Sequence, residues 1–328
     1  MEATRDFRRG YFSPPVKARG GGIVLGVILG FGSAIAFACN AIITRRGVLR
    51  KSSNYVANIS ILTGPVFSFI VLCLTGQLAH IGQFSGMAYV YFALSGIIHF
   101  AFGRTWAYKS IQLIGANRAN IVTSLSPIAS IGLAVIVLGE TVNLLMLGGI
   151  ICSLSSPFIT LCGERTVTRA PLGGSAGGKE VDRRTLSLGM LYGAGAALFW
   201  GSSFIFIKLG LAEGGTPIVG SMIAYTAASI AVIPSLLKTE NKEEMIAADR
   251  KSLHIALLVG LTSNVAQLLR YLALQYGSVI LVIAAIRTSP LGILLLSFLF
   301  NRQHESFSRW VLLSNGLLII GTLMILYA

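Results

Sequence analysis

Apolar runs about as long as a bilayer is thick alternate along this chain with short polar segments that hold nearly all of its charge. A helix that crosses the hydrocarbon core needs roughly 20 mostly apolar residues. Ten stretches meet that demand: 22–43, 54–75, 85–107, 117–138, 142–162, 186–207, 217–237, 253–276, 279–300 and 309–327. The pattern predicts an all-α membrane protein with ten transmembrane helices. Between spans 7 and 8, the polar loop from Lys238 to Lys251 is long enough for a short surface helix.

The runs repeat. A shift of 163 residues lays span 1 on span 6, matching Leu25-Gly26 with Leu188-Gly189, Gly30 with Gly193, Gly32 with Gly195 and Arg45 with Lys208. The same shift lays Ser126-Pro127 on Ser289-Pro290, a hundred residues further along. One shift serving two distant places marks a duplication. Five spans per half is an odd number, so the second half enters from the opposite face. Inverted repeats of this kind place a transporter's substrate site near the midplane. The expected organisation is a tail at 1–21, a first repeat at 22–163, a flexible Gly- and charge-rich linker at 164–185 and a second repeat at 186–328. The repeat also argues that span 1 is retained rather than cleaved as a signal peptide, because it has an internal partner.

Composition agrees with the pattern. Apolar residues make up 54% of the chain and charged residues 12%, with a mean hydropathy of +0.76; soluble domains carry about 25% charge. The net charge of +14 then reflects loop lysines and arginines facing cytoplasm and anionic lipid, not nucleic acid. Cys39, Cys73, Cys152 and Cys162 all fall inside spans without ligand spacing, and read as packing residues. No metal or cofactor is implied.

Two five-span halves with Ser-Pro in the fourth span of each, and Leu138-Gly139-Glu140 closing span 4, resemble the EamA family of the drug/metabolite transporter superfamily. The second half departs at Asn301-Arg302-Gln303-His304-Glu305. The resemblance covers residues 22–327 and implies a metabolite carrier without naming the metabolite.

Intramembrane charge carries most of the remaining information. Arg104, Arg270 and Arg287 lie within spans 3, 8 and 9, where each costs roughly 2.5–3.5 kcal/mol on insertion scales. A shift of 166 pairs Arg104-Thr105-Trp106-Ala107 with Arg270-Tyr271-Leu272-Ala273 and makes the first two arginines equivalent. All twelve acids fall in tails, loops or span ends. A positive interior without acids suits an anionic or zwitterionic substrate, whose carboxylate or phosphate an arginine grips with its planar fork. Paired prolines in matching spans are a further pointer to a site. The candidate binding residues are Arg287, Arg270, Arg104, Ser126, Pro127, Ser289, Pro290, Asn40, Trp200 and Tyr271, at the interface of spans 1, 3, 4, 6, 8 and 9, with Arg287 expected to matter most and Arg270 less. His99 is the one histidine deep in a span, and hence the candidate proton carrier. Trp106, Tyr108, Tyr225, Asn120, Asn264 and Gln267 either line the path or join helices.

The reading is an alternating-access carrier of small polar metabolites such as amino acids or organic acids. A non-transporting scaffold or receptor, or a membrane enzyme, is the alternative; no HExxH, paired acids or Ser/His set supports the enzyme. The partners implied are a small-molecule substrate and lipid, with oligomeric state left open. Loop charge favours termini outside, whereas the family resemblance and the basic tail (Arg5, Arg8, Arg9, Lys17, Arg19) favour termini in the cytoplasm. Cytoplasmic termini in a plasma or inner membrane are the expectation. A cysteine placed in the 164–185 linker of a variant lacking native cysteines is expected to react with impermeant maleimide from outside intact cells; protection places the termini outside.

Overall fold

A computed structural model describes residues 21–48, 50–114, 122–167, 183–292 and 309–328. The N-terminal tail, Asn120, most of the 164–185 linker, the end of span 9 and the Asn301–Glu305 segment lie outside the described residues. Within them every regular element is a helix. In chain order the apolar helices are α1 (Gly21–Val48), α2 (Ser53–Leu74), α3 (86–114), α4 (Ser126–Leu138), α5 (Leu144–Val167), α6 (Arg183–Ala212), α7 (Pro217–Leu236), α8 (Arg250–Tyr276), α9 (Val279–Gly292) and α10 (Arg309–Leu326). Six stretches, in α1, α2, α3, α6, α7 and α8, are long and apolar enough to cross a membrane, and four shorter apolar stretches lie in α4, α5, α9 and α10. The 238–251 loop does hold a short helix, Thr239–Ile246. Glu244 ties it to the start of α2 by accepting from the Ser52 backbone N–H at 2.7 Å.

Large apolar side chains such as Ile28, Val66, Phe69, Leu191, Ile230 and Leu312 point outward. The interior mixes valine, isoleucine and leucine with many alanines and serines and a few aromatics, and glycines mark its closest helix contacts. Small residues let helix backbones approach closely, which matters where lipid removes the hydrophobic drive for helices to associate.

These close approaches reveal how the halves relate. Gly26 of α1 meets Gly277, and Gly189 of α6 meets Ile114; Gly30 meets Ala285, and Gly193 meets Val122; Gly32 meets Leu269, and Gly195 meets Trp106. Gly201 meets Ala129, and Gly292 meets Ala38. In every case adding 163 to one partner and subtracting it from the other converts the first contact into the second. At the level of helices, α1 lies along α8 and α9 as α6 lies along α3 and α4, while α2 packs on α7 and α5 on α10. Exchanging the two halves leaves this pattern unchanged, as a two-fold relation requires.

The packing corrects one expectation. Trp106 and Leu269 occupy equivalent places, so the shift in this region is 163 and not 166. Arg104 is therefore equivalent to Gln267, and Arg270 to Ala107. The 166 register aligned the side chains by chemistry; the backbone follows the glycine contacts, where a three-residue slip would drive side chains into the neighbouring helix.

The Ser-Pro pairs break their helices instead of bending them. Residues 124–125 and 287–288 form turns, and Ser126-Pro127 and Ser289-Pro290 begin the next helical segment. The bonds are equivalent too: the Leu125 N–H donates to the Val122 carbonyl and Thr288 to Ala285, then Ile128 to Leu125 and Leu291 to Thr288. Proline cannot donate and disfavours helix in the residue before it, which explains a break at this point.

At the α8–α9 junction two opposite charges serve two helix ends. Gly139 terminates α4 with φ of +68°, a conformation that costs glycine little, and turns Glu140 toward α9. Its carboxylate accepts from the N–H groups of Val279 at 2.6 Å and Ile280 at 3.0 Å. Lys208 of α6 donates to the carbonyls of Leu274 and Gly277, each at 2.7 Å. A carboxylate at an N-terminus and an ammonium at a C-terminus both complement the helix dipole. Glu140→Gln is expected to lower thermal stability by about 1–2 kcal/mol, read as a depressed unfolding midpoint in nanodiscs; an unchanged midpoint would show that the cap contributes nothing.

Candidate substrate-binding site

Residues 97–104 of α3 are wound as a π-helix. In an α-helix, residues five apart are rotated by about 140° from each other; i→i+5 bonding stacks them instead. The winding therefore turns both His99 and Arg104 toward the interior. Gly103 lets Trp200 of α6 lie against this segment, since a Cβ there would come within 2.5 Å of the indole. The Trp200 ring N–H donates to the His99 carbonyl at 3.1 Å.

Around His99 a polar cluster assembles from both halves. Nδ1 lies 2.9 Å from Ser203 Oγ and 3.4 Å from the Arg270 guanidinium, and Nε2 lies 3.1 Å from the Gln267 amide nitrogen. Arg270 is 2% exposed. Its guanidinium packs 4.8 Å from the Phe204 ring centre and 5.8 Å from that of Tyr271, contacts that hold a cation without neutralising it. Its Nε has no hydrogen-bond partner. Tyr271 meets Ser95 of α3 through its hydroxyl at 2.8 Å. Arg104 turns inward, donating to Ser60 of α2 and packing 5.3 Å from the Phe100 ring centre; it does not snorkel. Phe100 stacks on Tyr225 of α7 at 4.5 Å. Among the described residues no carboxylate touches any of these cations. The cluster thus presents a planar, buried guanidinium with a free Nε and aromatic rings beside it, a fit for a carboxylate or similar anion.

The other predicted residues lie elsewhere. Arg287 donates to the Ser124 carbonyl, and Ser124 is its own equivalent in the first half. The two helix breaks therefore meet across the two-fold. Arg287 also lines a cavity of about 20 Å³, room for one water, with Pro127, Ile131, Ser153, Ile280 and Ala284 among its walls. Pro127 is buried there, whereas Pro290 is exposed. The Ser126 carbonyl accepts from Ser130 Oγ where α4 packs on Gly201; Ser289 follows the second break, part-buried. Asn40 joins α1 to α8 through the Val259 carbonyl at 2.8 Å and Thr262 Oγ1 at 3.0 Å, a tether between helices. Trp106 packs edge-on to Tyr192 and Phe199, and Asn264 bonds Thr63 of α2. Cys39, Cys73 and Cys152 are free thiols. The side chains of Tyr108 and Cys162 lie outside the description.

The expected six-span interface thus resolves into two places. One is the His99–Arg270 cluster among α2, α3, α6, α7 and α8, and the other the Arg287 break between α4 and α9. Ser60, Ser203, Phe100 and Phe204 were not legible as members of the cluster, because a serine or phenylalanine in a span carries no mark distinguishing it from packing.

Two stretches of the chain, 24–162 and 187–327, match the EamA-like transporter family. The chain belongs to this family. It is a multi-pass integral membrane protein of the drug/metabolite transporter superfamily, and the two EamA matches fall on the halves related by the 163-residue shift. Among solved structures, one described only as a crystal structure of a protein aligns over 93% of this chain and 96% of its own, with a TM-score of 0.67 and 13% identity. At that identity the likeness is one of fold alone. No curated protein matches the chain.

Proposed function

We propose that this EamA protein is an alternating-access carrier of small polar metabolites bearing a negative group, anionic or zwitterionic, such as amino acids or organic acids. The observation that carries the reading is Arg270: a buried guanidinium beside two aromatic rings, with an unpartnered Nε and, among the described residues, no carboxylate in reach. A buried charge normally has a paired partner. A transported anion supplies one, and leaves the site cationic again on release. His99, from the first half, contacts Gln267 and Arg270, from the second, so the cluster is shared between the halves. A movement between halves therefore opens it.

The accompanying topology is ten spans in two inverted halves, 22–163 and 186–328, joined by the 164–185 linker, with both termini cytoplasmic in a plasma or inner membrane. Odd helix number per half and the two-fold exchange of contacts support the inversion. Arg287 takes a structural role here, as the donor that holds two broken helices together, and Arg270 becomes the principal binding residue.

Uptake into proteoliposomes, screened across amino acids and organic anions, tests this. Arg270→Ala is expected to lower transport at least tenfold while expression survives, and Arg270→Lys to recover part of it, because an ammonium lacks the planar fork. Normal transport by Arg270→Ala would remove the anion site. Arg287→Ala is expected to act mainly on stability, by about 1–3 kcal/mol for a donor lost at a buried carbonyl; loss of transport at unchanged stability would return Arg287 to the binding site.

A further inference from the structure

The contacts of His99 allow two protonation states, and the position of Arg270 selects between them. A guanidinium only donates hydrogen bonds. While Arg270 leans on Nδ1 at 3.4 Å, that nitrogen carries no proton and the ring is neutral, with its hydrogen on Nε2. Turning the Gln267 amide so that its oxygen faces Nε2 gives that hydrogen an acceptor. It also gives a partner to Gln267 Oε1, which otherwise has none.

The second state is already provided for. Ser203 Oγ lies 2.9 Å from Nδ1 and also 2.7 Å from the Trp200 carbonyl. With its own hydrogen sent to that carbonyl, the hydroxyl accepts from Nδ1–H. Both ring N–H groups of an imidazolium then have acceptors, Ser203 on one side and Gln267 on the other. Burial and the neighbouring Arg104 oppose this state throughout, and the Arg270 guanidinium opposes it both by its charge and by competing for Nδ1.

The groups around His99 identify what relieves that opposition. Its own helix supplies Arg104, α8 supplies Arg270 and Tyr271, and α7 supplies Tyr225. From α2 comes uncharged Ser60, and from α6 Trp200, Ser203 and Phe204. Among the described residues none of these is a carboxylate. The negative charge then comes with the ligand. An anion that binds Arg270 draws the guanidinium off Nδ1 and cancels its field, and the freed nitrogen takes a proton.

Resting on the anion reading above, we infer that His99 and Arg270 form one linked site that takes up a proton together with each monoanion. The loaded site has the same net charge as the empty one, so the pair crosses electroneutrally, and a pH gradient can drive accumulation of the anion. A histidine kept only for packing would show no such linkage.

The test uses the full chain in nanodiscs and calorimetric titration with benzoate and with acetate, both ionised from pH 6 to 8. Repeating each titration in buffers of different ionisation enthalpy counts the protons bound. The wild type is expected to take up about one proton per anion, and its affinity to fall about tenfold per pH unit on the alkaline side. The sign follows from the protonated ring being the form that accompanies the anion. His99→Gln is expected to bind with no proton uptake and no pH dependence. Ser203→Ala keeps the histidine but removes one acceptor of the imidazolium, so the pH at which uptake is half complete moves down. It reads the same linkage should His99→Gln fail to fold. Binding by the wild type without proton uptake, or uptake that persists in His99→Gln, overturns the linkage and leaves the anion site standing. No binding of either anion overturns both.

Discussion

Hydrocarbon offers no hydrogen bonds, and a carbonyl or cation placed in it must find its partner within the protein. Several departures from regular helix among the described residues are answered in that way. The break before Pro127 meets Arg287 at the Ser124 carbonyl, the end of α8 meets Lys208, and the start of α9 meets Glu140. Asn40 and Ser33 close α1 onto backbone carbonyls of α8. Arg270 is met differently. Its nearest polar contact is another basic group, His99, and its flat faces meet aromatic rings. That surrounding, with an unpartnered Nε, is what the proposed anion site rests on.

The duplication supplies the frame, and the departures from duplication supply the chemistry. Glycine contacts along α1 and α6 are equivalent, as are the helix breaks of α4 and α9. The polar residues at the centre are not. Arg104 stands opposite Gln267, Arg270 opposite Ala107, His99 opposite Thr262 and Arg287 opposite Ser124. Each pair has one basic member and one neutral one. Two full sets of cations at the axis would repel one another at close range in a medium of low dielectric. One set, divided between α3 and α8, draws on both halves, and the proposed site therefore needs both. The π-helical stretch of α3 belongs to the same asymmetry, because α8 is regular α-helix through the equivalent residues.

Local information was enough for the membrane character, the helix content, the 163-residue repeat and the positions of the two breaks. Apolar run length, Ser-Pro pairs and glycine spacing are properties of contiguous residues, and the backbone must obey them wherever the segment goes. The motif Leu138-Gly139-Glu140 was legible as a family mark but not as a device, since its carboxylate serves a helix 139 residues away. The register of Arg104 against Arg270 was read from like side chains and came out three residues off; the glycine contacts that set it lie between helices and have no signature within either one.

The ranking of the arginines depended on tertiary structure altogether. Arg104, Arg270 and Arg287 are alike as residues in apolar runs, and insertion cost treats them alike. They differ in what they face: a serine, an imidazole between aromatic rings, and a backbone carbonyl. Those partners come from other helices, 44, 171 and 163 residues away along the chain. The sequence by itself determined that cations are buried without acids in their spans. Whether a given cation is satisfied, and so structural, or unsatisfied, and so available to a ligand, depends on contacts across helices that only the packing brings together.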